Sequence, residues 1–159
     1  MVVRRLLKIW ILASALLGAV ASAGARESLE KTLVNVDRSD TAVHGYDLVA
    51  YFTYRRPVKG VSQFTSTHRG VRYRFSSAQH KAAFDAEPAV FLPLFGGYCV
   101  LGVVGNRLME TQPDAFRFVD GRLVFLSDKA AAQRFDKDPV AALAKAEENW
   151  PALLQKKGK

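Results

Sequence analysis

Residues 70–76 read Gly-Val-Arg-Tyr-Arg-Phe-Ser, and residues 121–127, which lie 51 positions further along (121 − 70), read Gly-Arg-Leu-Val-Phe-Leu-Ser. The same offset aligns a Phe, an Asp and a Pro at positions 84, 85 and 88 with their counterparts at 135, 136 and 139. With one residue of slip, Gly45-Tyr46-Asp47 aligns with Gly97-Tyr98-Cys99. The pattern predicts two copies of one supersecondary unit, over about 45–90 and 97–141, that share a core. Chance recurrence of a strand, a capped helix and a proline is the alternative.

Each copy combines a strand with a helix. Tyr73 and Phe75 alternate with arginines, which is the period of a half-buried strand, and Gly70 provides the turn before it. Ser76 and Gln79 have the spacing of a capping box, so Ser76 is expected to begin a helix. His80 and Phe84 then share one face of that helix, and in the second copy Ser127 is the expected cap and Phe135 points inward.

The remaining elements follow from shorter patterns. Strands are predicted over 48–52 and 63–67, with a loop over 55–60 between them. A hairpin over 116–119 and 123–126 turns at Asp120-Gly121, and a helix over 140–148 is expected to stop at Asn149-Trp150-Pro151. The sequence therefore predicts a small, single α+β domain of two strand-hairpin/helix units followed by a C-terminal helix.

The N-terminus is typical of an exported protein. Arg4, Arg5 and Lys8 precede twelve largely apolar residues, and Ala21-Ser22-Ala23 follows them. This predicts a signal peptide over 1–23 with cleavage after Ala23 or Ala25, by either the Sec or the twin-arginine route. Twelve residues at about 1.5 Å each are too few to cross a bilayer, so no integral membrane span is expected after cleavage. We expect the protein in the periplasm or cell envelope, with an arm over 24–42 and a basic tail over 152–159.

Composition and motifs exclude several classes of function. The formal net charge is +8, and loss of three cations with residues 1–23 lowers it to +5 (8 − 3). Nucleic acid is not an expected partner for an exported chain whose charge is partly in its tail. The sequence contains no G-x-S-x-G, no H-E-x-x-H and no glycine-rich phosphate loop, so a conventional enzyme is not the favoured prediction.

Cys99 is the only cysteine of the chain. In an oxidising compartment it cannot close an intrachain disulfide, so three roles are open to it. It is a buried apolar residue, a metal ligand, or a thiol that reacts with a partner. The residues around Cys99 are the evidence that distinguishes these roles.

Several stretches resemble the YHS domain family, and in particular its exported branch of YHS domain-containing (seleno)proteins. Residues 45–52, GYDLVAYF, resemble the G-x-D-P-V-A-Y-F opening of that branch, with Leu48 in place of proline. The runs YRFSSA (73–78), FGGYC (95–99), DGRL (120–123) and NWP (149–151) resemble its later motifs, so the resemblance covers about 43–151.

The resemblance implies a presumed role in heavy-metal or copper handling, without an established reaction. Some members carry selenocysteine where Cys99 stands, which favours a working thiolate. The intracellular YHS pattern has three cysteines that fall here on Ala50, Ser76 and His80. A site with several thiolates therefore cannot form in this chain.

Three hypotheses about function remain. In the first, Cys99 binds a soft ion such as Cu(I) with companions from His80, His44, Asp47 and Met109, whereas zinc is disfavoured because paired ligand spacings are missing. If a pseudo-twofold axis relates the copies, Asp47 and Cys99 approach each other near it.

In the second hypothesis, Cys99 begins a helix over 100–104, its thiolate is favoured there by the helix dipole and by Arg107, and it forms mixed disulfides with a thiol-bearing partner. In the third, the protein is a non-catalytic interaction module with a buried Cys99. Structural roles are expected in each case for Gly96, Gly97, Tyr98, Ser76, Phe84, Phe135 and Trp150. The oligomeric state is not predicted.

Overall fold

The computed structural model describes residues 33–157, so the predicted signal peptide and residues 24–32 of the predicted arm lie outside the described residues. The first half contains a 3-10 turn (Val43–Gly45), α1 (Leu48–Tyr54), β1 (Val61–His68), β2 (Val71–Phe75), α2 (Ala78–Ala86) and α3 (Pro88–Phe91). The second half contains a 3-10 turn (Leu94–Gly97), α4 (Val100–Val104), β3 (Phe116–Val119), β4 (Arg122–Phe125), α5 (Lys129–Phe135) and α6 (Pro139–Lys157). The chain forms a small α+β domain, as predicted.

The strands form two separate antiparallel hairpins. In the first, Thr65 pairs with Arg74, and a bulge separates this register from the pair Val61–Phe75. In the second, Phe116 pairs with Phe125 across the predicted Asp120-Gly121 turn. The hairpin predictions are confirmed because alternating apolar residues and a two-residue turn are local signals.

The prediction of a strand over 48–52 is wrong, because these residues form α1. Asp47 precedes the helix, and its side chain accepts a hydrogen bond from the backbone N–H of Ala50 at 3.2 Å. Residues 48–51 are all buried. A short apolar run buried on every side has no periodicity that separates a helix from a strand, and the cap decides between them.

Both predicted caps are wrong by one residue. Ser77 begins α2 and accepts a hydrogen bond from His80 N at 3.1 Å. Asp128 begins α5 and accepts one from Ala131 N at 2.7 Å. The shift leaves the Ser76 side chain available for a contact outside its own helix.

The predicted stop at Asn149-Trp150-Pro151 is also wrong, since α6 continues to Lys157 and includes most of the predicted basic tail. Packing supports the helix on both sides of the proline: Trp150 lies edge-on to Phe95 at 5.6 Å between ring centroids, and Leu153 is buried. The Asn149 side chain caps a different helix. Its amide donates hydrogen bonds to the carbonyls of Val103 and Val104, at the C-terminal end of α4, at 3.1 and 2.9 Å.

Two apolar clusters form the core. One surrounds Cys99 and Phe135, and the other surrounds Phe75 and Phe84. Phe84 and Phe135 are buried as predicted. Within residues 33–157, none of the helices has the length and apolar character needed to cross a membrane.

The two halves also share a local backbone feature. Residues 43–45 and 95–97 are both left-handed turns, with φ of 49°, 53° and 75° in the first and 55°, 60° and 82° in the second. Each turn is followed by a tyrosine, Tyr46 or Tyr98, and then by the residue that begins a helix, Asp47 or Cys99. The element order and this turn recur, while the internal repeat as a duplication stays a prediction.

Candidate functional site

The described residues bring two of the predicted ligands into direct contact, Asp47 and His80. Asp47 Oδ2 lies 2.6 Å from His80 Nδ1, with Asp47 fully buried and the His80 side chain 7 % exposed. The same oxygen accepts hydrogen bonds from Ser76 Oγ at 2.6 Å and from Ser76 N at 2.8 Å. One buried carboxylate thus connects the start of α1 with the β2–α2 junction.

The contact fixes the orientation of the imidazole. A carboxylate only accepts hydrogen bonds, so Nδ1 of His80 carries the proton that points to Asp47. Nε2 makes no hydrogen bond to any residue in 33–157, and the ring lies 5.3 Å from the half-exposed ring of Tyr54. A neutral imidazole held in this way presents the Nε2 lone pair as a base or a metal ligand.

The cluster is not a nucleophile–histidine–carboxylate triad. Ser76 Oγ donates to Asp47 and lies 3.4 Å from Nδ1 of His80, the nitrogen that already faces the carboxylate. A catalytic serine instead contacts the imidazole nitrogen that does not face the carboxylate. The Asp47–His80 pair therefore orients a histidine without activating Ser76.

Cys99 lies in a different environment. The residue is fully buried, with an exposed fraction of 0 %, in a cluster with Val100, Val103 and Leu126 among its members. Its backbone N–H donates to Met109 O at 3.0 Å, and its sulfur forms no hydrogen bond with the described residues. The predicted helix after Cys99 is confirmed as α4, but the thiol at its start is enclosed by apolar groups.

Of the other predicted site residues, Met109 is a backbone neighbour of Cys99, whereas His44 pairs with Glu110. His44 Nε2 lies 3.3 Å from Glu110 Oε2, and Met109 packs against the Cys99 cluster. Arg107 is exposed and follows the C-terminal end of α4, whereas Cys99 precedes its N-terminal end. Within 33–157 there is no group of three or more His, Cys, Asp or Glu side chains that suits a metal ion. The Met109 thioether is not among these ligand types, so the copper site predicted around Cys99 stays a prediction.

The Gly96-Gly97 turn belongs to a buried polar network that sequence reasoning missed. Gly97 O accepts hydrogen bonds from Thr111 Oγ1 at 3.2 Å and Asn35 Nδ2 at 3.4 Å, and Asn35 N donates to Gly96 O at 2.8 Å. Next to this network, burial and then the charge of Glu110 raise the pKa of Tyr98. These contacts give Gly96, Gly97 and Tyr98 structural roles, because all three belong to a tightly packed, largely buried segment.

Sequence reasoning also missed the bond from Ser76 to Asp47. The sequence did contain a signal that Asp47 begins a helix, because an Asp directly before an apolar run is typical of a helix cap. It contained no signal for the bond to Ser76. Comparisons of the chain with protein-family models, with curated proteins and with solved structures found no match.

Proposed function

We propose that this protein is a non-catalytic binding module of the exported YHS type, in which Cys99 is a core residue and not a working thiol. The observation that supports this most directly is the complete burial of Cys99 in an apolar cluster. A thiolate in such surroundings loses its hydration without gaining a cationic neighbour, which disfavours both redox attack and metal binding through sulfur.

The Asp47–His80 geometry agrees with a role in binding. An enzyme that used His80 as a general base would need a nucleophile or a bound water positioned at Nε2. The nearest hydroxyl in the cluster, that of Ser76, is committed to Asp47. The dyad therefore supplies an oriented electron-pair donor, and Ser76 is not placed to act as its nucleophile.

Thiol labelling tests the proposal. The exported protein is treated with an aromatic disulfide reagent under native conditions and again in urea, beside a Cys99→Ala, Asn106→Cys variant whose thiol lies at an exposed position. We expect Cys99 to react only as fast as the protein unfolds, and the exposed thiol to react at once. Immediate labelling of native Cys99 contradicts the proposal and restores the redox hypothesis.

A second candidate function is the binding of a soft metal ion through Nε2 of His80, and the Asp47–His80 hydrogen bond favours it. Ligating histidines generally donate their other ring N–H to a carboxylate, as His80 does. Cu(I) accepts few ligands, so one imidazole and a ligand from a partner or small thiol suffice for a labile site. Such a site suits passing an ion on rather than storing it.

Anaerobic competition for Cu(I) separates the two candidates. The wild type is compared with His80→Asn, whose amide retains a donor toward Asp47 but removes Nε2, and with Cys99→Ala and the surface control His44→Ala. Weaker Cu(I) binding in His80→Asn alone supports the metal site. Equal binding by wild type and His80→Asn excludes it, and loss in Cys99→Ala alone returns the thiolate hypothesis.

A further inference from the structure

The cations of the chain are distributed unevenly. Residues 48–84 contain seven Lys and Arg and no Asp or Glu: Arg55, Arg56, Lys59, Arg69, Arg72, Arg74 and Lys81. Residues 99–141, in the second half, contain six Lys and Arg and six Asp and Glu. The excess positive charge of the described domain therefore comes from α1, the first hairpin and α2.

Three of these cations lie in the loop between α1 and β1. Each lies over an aromatic ring, and Lys59 Nζ also donates a hydrogen bond to His44 O at 2.6 Å. Arg55 lies over the ring of Phe118 at 4.2 Å, Arg56 over Tyr54 at 5.8 Å and Lys59 over Tyr46 at 4.3 Å. None of the three forms an ion pair with a carboxylate of residues 33–157.

The arginines of the second hairpin are neutralised in contrast. Arg117 contacts both carboxylate oxygens of Asp136 at 2.7 Å, and Arg122 contacts Glu147 at 3.1 Å. The exposed loop before β1 thus keeps a positive charge that the arginines of the second hairpin lose to carboxylates, and an anionic surface is the complementary partner.

The same loop carries exposed apolar side chains at its two ends. Tyr54, the last residue of α1, is 50 % exposed, and Val61, the first residue of β1, is 45 % exposed. They are two of the four large hydrophobic residues that are exposed within 33–157. Cations attract any polyanion, whereas exposed Tyr and Val beside them gain energy only where apolar surface is available, as at the headgroup boundary of a bilayer.

We infer that residues 54–61 are a docking loop for the surface of an anionic phospholipid bilayer. The lipid phosphates attract Arg55, Arg56 and Lys59, while Tyr54 and Val61 insert at the headgroup level. The inference rests on the proposed function in one respect, since it names what the binding module binds. It does not depend on the role of Cys99.

Vesicle cosedimentation tests the docking loop. The exported protein is mixed with vesicles of phosphatidylcholine alone or of phosphatidylcholine and phosphatidylglycerol, at low and at high salt. We expect binding to the mixed vesicles, and high salt should weaken it. Replacing Arg55, Arg56 and Lys59 together by Gln should lower the partition coefficient by about 100-fold.

Two matched variants make the test specific. Lys129→Gln, Arg134→Gln and Lys137→Gln together remove the same charge from exposed positions of the second half and should leave binding largely intact. Tyr54→Ser with Val61→Thr keeps every charge and should weaken binding. Equal losses in the two triple variants overturn the inference, because they indicate an effect of net charge alone.

Full binding by the Tyr54→Ser, Val61→Thr variant also overturns it, because that outcome indicates attraction by charge alone, without insertion of apolar side chains. Failure of vesicle binding with an unreactive Cys99 rejects the docking loop alone. A reactive Cys99 rejects the proposed function whatever the vesicles show.

Discussion

Asp47 and His80 are 33 positions apart in the chain, and a 2.6 Å hydrogen bond joins their side chains. By the offsets of the two halves, the positions equivalent to Asp47, Ser76 and His80 are occupied by Cys99, Ser127 and Ala131. Cys99 and Ala131 belong to one apolar cluster. If the predicted repeat holds, the hydrogen-bonded Asp47–His80 pair of the first half aligns with the apolar pair Cys99 and Ala131 in the second, while Ser127 binds Asp128 instead.

Removing either partner of this junction should destabilise the protein strongly. His80→Ala leaves a fully buried carboxylate without its imidazole, and Asp47→Ala also removes the cap of α1. Losing a buried hydrogen bond to a charged group costs about 1.5–3 kcal/mol. We expect a loss of this order for each variant in urea unfolding, and a double variant that loses clearly less than the sum of the two.

The surface pair Arg117–Asp136 is the control for that experiment. Its geometry is good, but both side chains are more than one third exposed, and the pKa of Asp136 is lowered mainly by its hydrogen bond to Arg117. Solvent screening limits such pairs to less than about 1 kcal/mol. A coupling energy for Asp47–His80 no larger than that of the control would show that the buried hydrogen bond does not stabilise the junction between α1 and α2.

A core role for Cys99 predicts an order of stability among its variants. Cys99→Ala leaves a small cavity at an expected cost of about 1–2 kcal/mol, whereas Cys99→Ser keeps the size but places a hydroxyl without a partner among apolar side chains. We therefore expect the serine variant to be less stable than the alanine variant by thermal unfolding. The opposite order would indicate polar surroundings at the sulfur.

Local sequence signals predict much of this fold, whereas long-range contacts determine the elements that were not predicted. The hairpins and the helix after Cys99 depend on neighbouring residues, and their predictions are confirmed. Helix α1 was missed because a buried apolar run has no helical period, and α6 passes Pro151 because Trp150 and Leu153 pack on both sides of it. Packing outweighed the local stop signal there.

The candidate site follows the same rule. Asp47 and His80 were both identifiable from the sequence as candidate ligands, since their side chains have the right chemistry. Their pairing was not identifiable, because it depends on how the β2–α2 junction approaches the start of α1. The shift of the α2 cap from Ser76 to Ser77, which leaves Ser76 to bind Asp47, is visible only once those segments meet.

The protein should lose stability in alkaline solution through its buried tyrosines. Burial raises the pKa of Tyr73 from 10.0 to about 12, with Arg69 lowering it in part, and burial also raises the pKa of Tyr51. The unfolded chain then releases these protons before the folded one, so stability is complete below pH 10 and falls as the pH rises from 10 towards 12.

Tyr73→Phe isolates the contribution of one of these phenols. The ring can keep its contact with Phe84 at 4.9 Å between centroids, and only the ionisable hydroxyl is lost. The stability lost between neutral pH and about pH 11 should shrink by on the order of 1 kcal/mol in this variant. Urea unfolding at both pH values measures the change, with the half-exposed Tyr54→Phe as control. An identical pH dependence in wild type and Tyr73→Phe would show that Tyr73 titrates normally.

Two glycines with positive φ should respond differently to the same substitution. At Gly121, with φ of +75°, a Cβ would have no atom within 4 Å, so Gly121→Ala costs only the backbone strain, about 1–2 kcal/mol. At Gly96, with φ of +60°, a Cβ would lie 1.9 Å from the carbonyl oxygen of Leu33, and Gly96→Ala must displace that backbone as well.

The displacement at Gly96 also affects the buried network next to it, because Asn35 N donates to Gly96 O. We expect Gly96→Ala to lose at least about 2 kcal/mol more than Gly121→Ala in urea unfolding, which is the range of variants that strain a special backbone conformation. Hydrogen exchange should show faster exchange at Asn35 N in the Gly96 variant and an unchanged rate in the Gly121 variant. Equal stability losses would mean that the segment around Leu33 does not pack against the Gly96-Gly97 turn as tightly as the 1.9 Å approach implies.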